Sequence, residues 1–455
     1  MTVRPAHLRR SDVEGAPFVP YASETPSLDE YDYIQEEWIA TGRLDGEGDG
    51  EPYETVVIVR RPRDAANFSG TIVVETLHVH GIAPIWIYSA PYILRSGHAW
   101  VSVAAQRTTL DMHVKPSNAE RYGTLHIPGR DTSDFDPNPS FDDPAKAETF
   151  WSELEERNRS ASPILAQIGA ALRAAGGPFD GWDVRSTILA GHSQTGSVAT
   201  YYIRDAHDSL RLDDGTAVYD GYFPSGFPFA AFHGIDVPIV QVMSDGDVAL
   251  PDFAFRPGYE GRQYRRDDSD EPGDRFRLYE LAGVPHMGTR DAPFNDPALW
   301  QATHPTSPDV VIGPKMNSLP HGQLFSMGLD HLVRWVTDGI TPPHADRLEL
   351  DEEGYVVTDS HGNSVGGVRC VQLDVPHSTH LANPTNPDGR PNYLTVGNDL
   401  PFDAATLRRL YADEAGYVER FDARLDELVT EGWLLSNDAD EMRAEARQIA
   451  FSDAT

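Results

Sequence analysis

The chain has 455 residues, with 71 acidic against 37 basic side chains and a formal net charge of −34. So acidic a surface repels phosphate backbones and anionic lipid heads, which excludes nucleic acid and membrane surfaces as expected partners. With 40% hydrophobic residues the chain can bury a large core, and Cys370, the only cysteine, excludes an intrachain disulfide and any multi-cysteine metal site.

Arg4, Arg9 and Arg10 are followed by Ser11-Asp12-Val13-Glu14-Gly15, where a signal peptide needs an apolar run, and no window is apolar enough to span a bilayer. A cytoplasmic protein is therefore expected. Residues 55–59, 71–75 and 99–103 are short β-branched runs bounded by Pro or Gly, as strands buried in a sheet should be. Between the last two, residues 84–94 read as a helix ending at Ser96-Gly97, which makes a βαβ unit. Residues 107–147 are rich in Asp, Pro, Ser and Asn and predict a long loop or lid.

Helical spacing returns at Ile164, Leu165, Ile168, Ala171 and Leu172 and closes at Gly176-Gly177. A strand over 187–190 then runs into Gly191-His192-Ser193-Gln194-Thr195-Gly196 and an apolar helix signal over 198–203. Further strands are expected over 219–223, 237–242 and 275–281, and a helix over 323–337 that stops at Gly339. Beyond it, residues 347–350 and 355–358 predict a hairpin, and Tyr417, Phe421, Leu425 and Leu428 mark an amphipathic helix. The expected organisation is an arm over 1–45, an α/β core over 46–345 with a mostly parallel central sheet flanked by helices, a lid-like insertion over 107–147, and an extension over 346–455 packed on the core.

Strand, sharp turn and helix around Ser193 is the setting a serine nucleophile needs, since a hydroxyl is reactive only when exposed beside a base with a backbone N–H aimed at the developing oxyanion. Gly191 stands two residues before Ser193, but Thr195 holds the second small position and Gly196 comes one place late. His286, in Ala282-Gly283-Val284-Pro285-His286, follows the last core strand and is the expected base. The acid comes from Ser244-Asp245-Gly246-Asp247: Asp247 is favoured for its spacing from the strand end and from Pro251, with Asp245 as runner-up. The oxyanion donors expected are the N–H of Gln194 and one near Val79 or His80, in the loop after the strand ending at Glu75, with His78 and His192 contacting substrate. A rival reading makes His78 and His80 metal ligands, but no further ligand cluster lies near them in sequence, and no metal is expected. Trp86, Trp100, Tyr88 and Phe135 are candidates for an apolar pocket, against the commoner fate of such residues as core.

The chain resembles the bacterial "alpha/beta hydrolase domain" family in Val74-Glu75-x-Leu77-x-Val79, in the stretch from Gly97 to Gln106, and in Arg121-Tyr122-Gly123-x-Leu125. The likeness continues through Gly191-x-Ser193-Gln194, Asp220-Gly221, Asp247, the stretch from Arg277 to His286, Gly366-Gly367-Val368-Arg369 and residues 407–435, nearly the whole chain. The resemblance implies an α/β-hydrolase fold and a Ser, acid, His triad on Ser193, Asp247 or Asp245, and His286. The family often has Trp at Thr76 and Asn at His78, so the wall beside the oxyanion loop departs from its pattern. The resulting expectation is a serine esterase that cleaves a small-molecule carboxylic ester or lactone through an acyl-enzyme, without a cofactor. An acyltransferase, thioesterase or amidase would use the same groups, and a binding protein on this fold would require them to be mispositioned.

Overall fold

Runs of β-branched residues buried on both faces form the middle of a nine-stranded sheet, as parallel strands covered by helices should. The computed structural model describes residues 2–20, 26–44, 50–133, 135, 144–248, 264–288, 316–383 and 396–451. In chain order the strands are β1 (His7–Arg10), β2 (Tyr33–Arg43), β3 (Pro52–Pro62), β4 (Thr71–Thr76), β5 (Ala99–Val103), β6 (Ser186–His192), β7 (Gly221–Ser225), β8 (Ile239–Ser244) and β9 (Phe276–Leu281). Across the sheet they lie in the order β1-β2-β3-β5-β4-β6-β7-β8-β9. From β5 to β9 every pairing is parallel, whereas β1, β2, β3 and β5 pair antiparallel. This is the expected α/β-hydrolase sheet, and its parallel strands all aim their C-terminal ends at one edge, where loops can assemble a site.

The expected arm over 1–45 contributes, in its described residues, two strands of the sheet, β1 and β2. The sequence hides β2 because Glu36 and Glu37, unusual in a buried strand, are neutralised by remote partners: Arg61 lies 3.0 Å from Glu36 and Arg121 2.7 Å from Glu37. The expected loop over 107–147 is also largely helical where it is described. Successive helical turns run through Arg107–Thr109, Leu110–Val114, Lys115–Ser117 and Ala119–Tyr122, and a helix spans Pro144–Ser160. Asp111 bridges Arg107 and Lys115 at i,i+4 spacing while Leu110, Val114 and Tyr122 are buried, so polar composition concealed a helical ladder. Residues 134 and 136–143, at the centre of the expected lid, lie outside the described residues.

Two helices fix the βαβ geometry under the site. Pro84–Arg95 follows β4, and its first turn is held by the buried carboxylate of Glu75, which accepts from the N–H of Ile85 (3.0 Å) and of Trp86 (2.8 Å) and from Trp100 Nε1 (2.7 Å). Burial pushes this carboxyl up to about 7 against those three donors and the nearby Arg60, whose guanidinium lies 4.3 Å from the Trp86 ring centre. Trp86 and Trp100 are thus core, not pocket. Glu75→Leu would strand three buried donors at about 1 kcal/mol or more each, so urea unfolding should show a loss of at least about 3 kcal/mol. The second helix, His321–Asp338, ends where Gly339 takes a left-handed φ of 68°.

The C-terminal part closes the far edge of the sheet. Val368 donates to Glu280 and accepts from Ala282, extending the ladder beyond β9. The expected hairpin holds one bridge, Leu350 to Val356, and is followed by a ribbon of β10 (Ser378–Leu381) and β11 (Asn398–Pro401). Helices Ala404–Tyr411, Glu414–Glu431 and Ser436–Ala446 follow, with Tyr417, Phe421, Leu425 and Leu428 buried in a cluster of their own. Among the described residues, no helix is long and apolar enough to cross a membrane.

Candidate active site

β6 delivers Ser193 to the C-terminal edge of the sheet in a conformation that L-residues avoid, with φ 59° and ψ −123°. The turn is so tight that a Cβ on Gly191 would collide with the carbonyl of Thr195, and one on Gly196 with that of Ser225 in the neighbouring β7. The second glycine is therefore needed three residues after the serine, which explains its late position. Thr195 fits between them because its hydroxyl folds back, accepting from His192 N–H and donating to His192 C=O, both at 2.9 Å.

The loop after β9 returns His286 to this turn. Its Nε2 lies 2.8 Å from Ser193 Oγ and its Nδ1 lies 2.5 Å from Asp247 Oδ1, so the three side chains form one hydrogen-bonded line. The other oxygen of Asp247 accepts from the N–H (2.7 Å) and hydroxyl (2.8 Å) of Ser244 at the end of β8. Burial works to raise this carboxyl, but the imidazole beside it and the Ser244 donors outweigh that and hold it below the usual carboxylate range. Asp245, the runner-up, points elsewhere: its Oδ2 accepts from Gly283 N–H (3.0 Å) and Ser364 Oγ (2.5 Å). It ties the root of the His286 loop to the C-terminal part, and burial pushes it up to about 6.

His192, expected to contact substrate, is only 2% exposed. It is buried behind the site, its Nε2–H donates to the backbone carbonyl of His286 at 3.0 Å, and its ring stacks on that of His286 with centres 5.0 Å apart. Burial and the neighbouring His286 push it down to about 3, so it is a neutral strut. Tyr88 packs edge-on against it, and Phe135 lies under the guanidinium of Arg157.

Gln194, whose N–H is the expected oxyanion donor, opens the helix Gln194–Tyr201, so that N–H has no carbonyl a turn behind it. Its side chain sits in a buried polar network that sequence patterns did not reveal. Nε2 donates to Gln106 Oε1 (2.9 Å) and Asn158 Oδ1 (2.7 Å), Gln106 Nε2 donates to Asn158 Oδ1 (2.7 Å), and Asn158 Nδ2 donates to Ser197 Oγ (2.5 Å). Gln106 stood at the end of a family-like stretch, but Asn158 lies in the helix the sequence concealed. The network turns Gln194 Oε1 toward the loop after β4, where it accepts from Val79 N–H at 3.2 Å. His80 N–H donates to His78 Nδ1 at 3.1 Å. The backbone donor expected near Val79 or His80 is therefore not free, because both of these N–H groups are engaged within the protein. Among the described residues, no group of His, Cys, Asp or Glu is arranged to hold a metal ion.

The profile of the family described as "Alpha/beta hydrolase domain" matches residues 5–444. No protein of curated function matches the chain. Among solved structures it is similar to LpqC, a poly(3-hydroxybutyrate) depolymerase from Bordetella parapertussis, at 13% identity over 68% of this chain and 91% of that one, with a TM-score of 0.32. It is also similar to a structure from a study of two esterases of the fungus Rhizomucor miehei, at 9% identity over 60% and 82% of the two chains, with a TM-score of 0.31. Likenesses this distant carry no weight for what the chain acts on.

Proposed function

Since the chain belongs to the alpha/beta hydrolase domain family, we propose that it is a serine hydrolase that cleaves a carboxylic ester or lactone through an acyl-enzyme on Ser193. The observation that carries the reading is the continuous line from Ser193 Oγ through the imidazole of His286 to the carboxylate of Asp247. His286 Nε2 takes the hydroxyl proton as Oγ bonds to the substrate carbonyl carbon, and the carbonyl oxygen takes up the electron pair. Collapse of that adduct expels the alkoxide, which leaves with the proton from His286. Water then repeats the sequence on the acyl-enzyme and frees the acid. Asp247 holds the imidazole with Nε2 toward the serine and stabilises its cation. None of these steps draws on a cofactor.

Incubation with a fluorophosphonate probe should label Ser193, and short aryl esters should be hydrolysed. A folded protein that is neither labelled nor active would instead be a binding protein on this fold. Product analysis with added alcohols separates the remaining chemistry: transfer exceeding hydrolysis would make the protein an acyltransferase.

A further inference from the structure

Two hydrogen-bond donors are needed to stabilise the oxyanion fully, and among the described N–H groups of Gln194 and of residues 77–81 in the loop after β4, that of Gln194 alone is not bonded within the protein. In the loop after β4 every N–H from Leu77 to Gly81 is already bonded: Leu77 to Val103 C=O (2.8 Å), His78 to Ile82 C=O (2.9 Å), Val79 to Gln194 Oε1 (3.2 Å), His80 to His78 Nδ1 (3.1 Å) and Gly81 to His78 C=O (2.8 Å). The amide orientations in the Gln194, Gln106 and Asn158 network are mutually consistent, so Gln194 Oε1 cannot turn away from Val79 without breaking two further bonds.

One donor in this loop remains. His78 is 7% exposed, and its Nδ1 accepts the His80 N–H, so a neutral ring carries its proton on Nε2. Among the described residues Nε2 has no hydrogen-bond partner, and it is not among the sealed polar atoms, so it faces open space. The rings close enough to influence it electrostatically are those of His80, His192, His113 and His286, the last two of which flank the loop and the nucleophile; burial first, and then these neighbours, keep its proton affinity well below the ordinary imidazole range. His113 Nε2 in turn holds the loop through Val79 C=O at 2.6 Å.

We propose that the Nε2–H of His78 is the second oxyanion donor, a side-chain donor where a backbone N–H was expected, its polarity set by the His80 N–H on the opposite ring nitrogen. It donates a hydrogen bond to the carbonyl oxygen as charge gathers there and gives up no proton. The assignment rests on the serine-hydrolase reading.

The test is kinetic. With p-nitrophenyl acetate, His78→Leu should lower kcat by about 10²-fold or more with KM little changed, whereas His78→Asn, which restores a side-chain N–H, should recover most of the rate. Affinity for an aryl trifluoromethyl ketone, which mimics the adduct, should fall in His78→Leu by the same factor as kcat/KM. Full activity in His78→Leu, or equal losses in both variants, overturns the proposal. Should the variants fail to fold, nitrogen-15 spectra of labelled histidine in the wild type decide: His78 should be the Nε2–H tautomer at neutral pH and should shift when Ser193 is phosphonylated. An Nδ1–H tautomer, or a resonance that does not move, refutes it. An unlabelled Ser193 brings down both readings, while a labelled Ser193 with a fully active His78→Leu removes this one alone.

Discussion

Ser193→Gly is expected to abolish ester hydrolysis and to raise the melting temperature at once. The φ of 59° and ψ of −123° lie where a Cβ is strained, at a cost of about 1–3 kcal/mol. Glycine removes that strain, offset by roughly 0.5–1 kcal/mol of extra freedom in the unfolded chain, for a net gain of about 1 kcal/mol. Ser193→Ala keeps the Cβ, so it should lose the same catalysis, on the order of 10⁵–10⁶ in kcat, without gaining stability. Turnover assays and thermal melts of the pair check this. A Gly variant no more stable than the Ala variant would mean that the turn is not strained, and activity in either would remove Ser193 from the chemistry.

The two carboxylates on one turn should part company when each is changed to Asn. Asp247→Asn leaves the shape but presents an amide to His286 Nδ1, and kcat should fall by about 10⁴ as the imidazole loses its orientation and the partner for its cation. Asp245→Asn can still accept from Gly283 and Ser364 with its carbonyl oxygen, so kcat should fall less than about tenfold. Stability should respond in the opposite sense. Asp245, pushed up to about 6 by burial, favours the fold fully below the ordinary carboxylate value of about 3.9 and loses that contribution as pH rises through about 6, a penalty of at most about 3 kcal/mol. Asp245→Asn should therefore be the more stable protein at about pH 8 and show a flatter profile between about pH 4 and about pH 7. Asp247, held below its ordinary value, behaves inversely: its contribution is present above that value and vanishes as pH falls through the folded one. Urea unfolding across this range reads both. Equal kinetic losses would leave the orienting role unassigned to either.

Much of this site can be read in the sequence because its framework is made of local signals. β4, β5, β6 and β8 are fully buried strands that carry Val, Ile or Thr, β9 is a buried run of large side chains, and the turn at Ser193 advertises itself by glycines on both sides. The rest depends on partners far away in the chain. β2 carries glutamates whose burial depends on Arg10, Arg61, Arg121 and Tyr122, and the helix Pro144–Ser160 is rich in charged residues and shows little apolar periodicity. Asp245 and Asp247 are both buried on one turn, and only the path of the next loop decides which meets the imidazole. The same holds for the loop after β4: its residues suggest a backbone donor, but whether an N–H is available depends on Gln194, which arrives from 115 residues away.

The pairing of Val368 with Glu280 and Ala282 bears on how the protein can be dissected. A shortened chain ending near residue 345 would bare the edge of β9 and strip Ser364 from Asp245, leaving a naked strand and a thirsty carboxylate where the loop to His286 begins. Such a fragment should aggregate when expressed, and adding residues 346–455 as a separate polypeptide should be the only way to recover soluble material. What looks like an appendage from the order of the elements is hydrogen-bonded to the edge strand of the sheet at Val368.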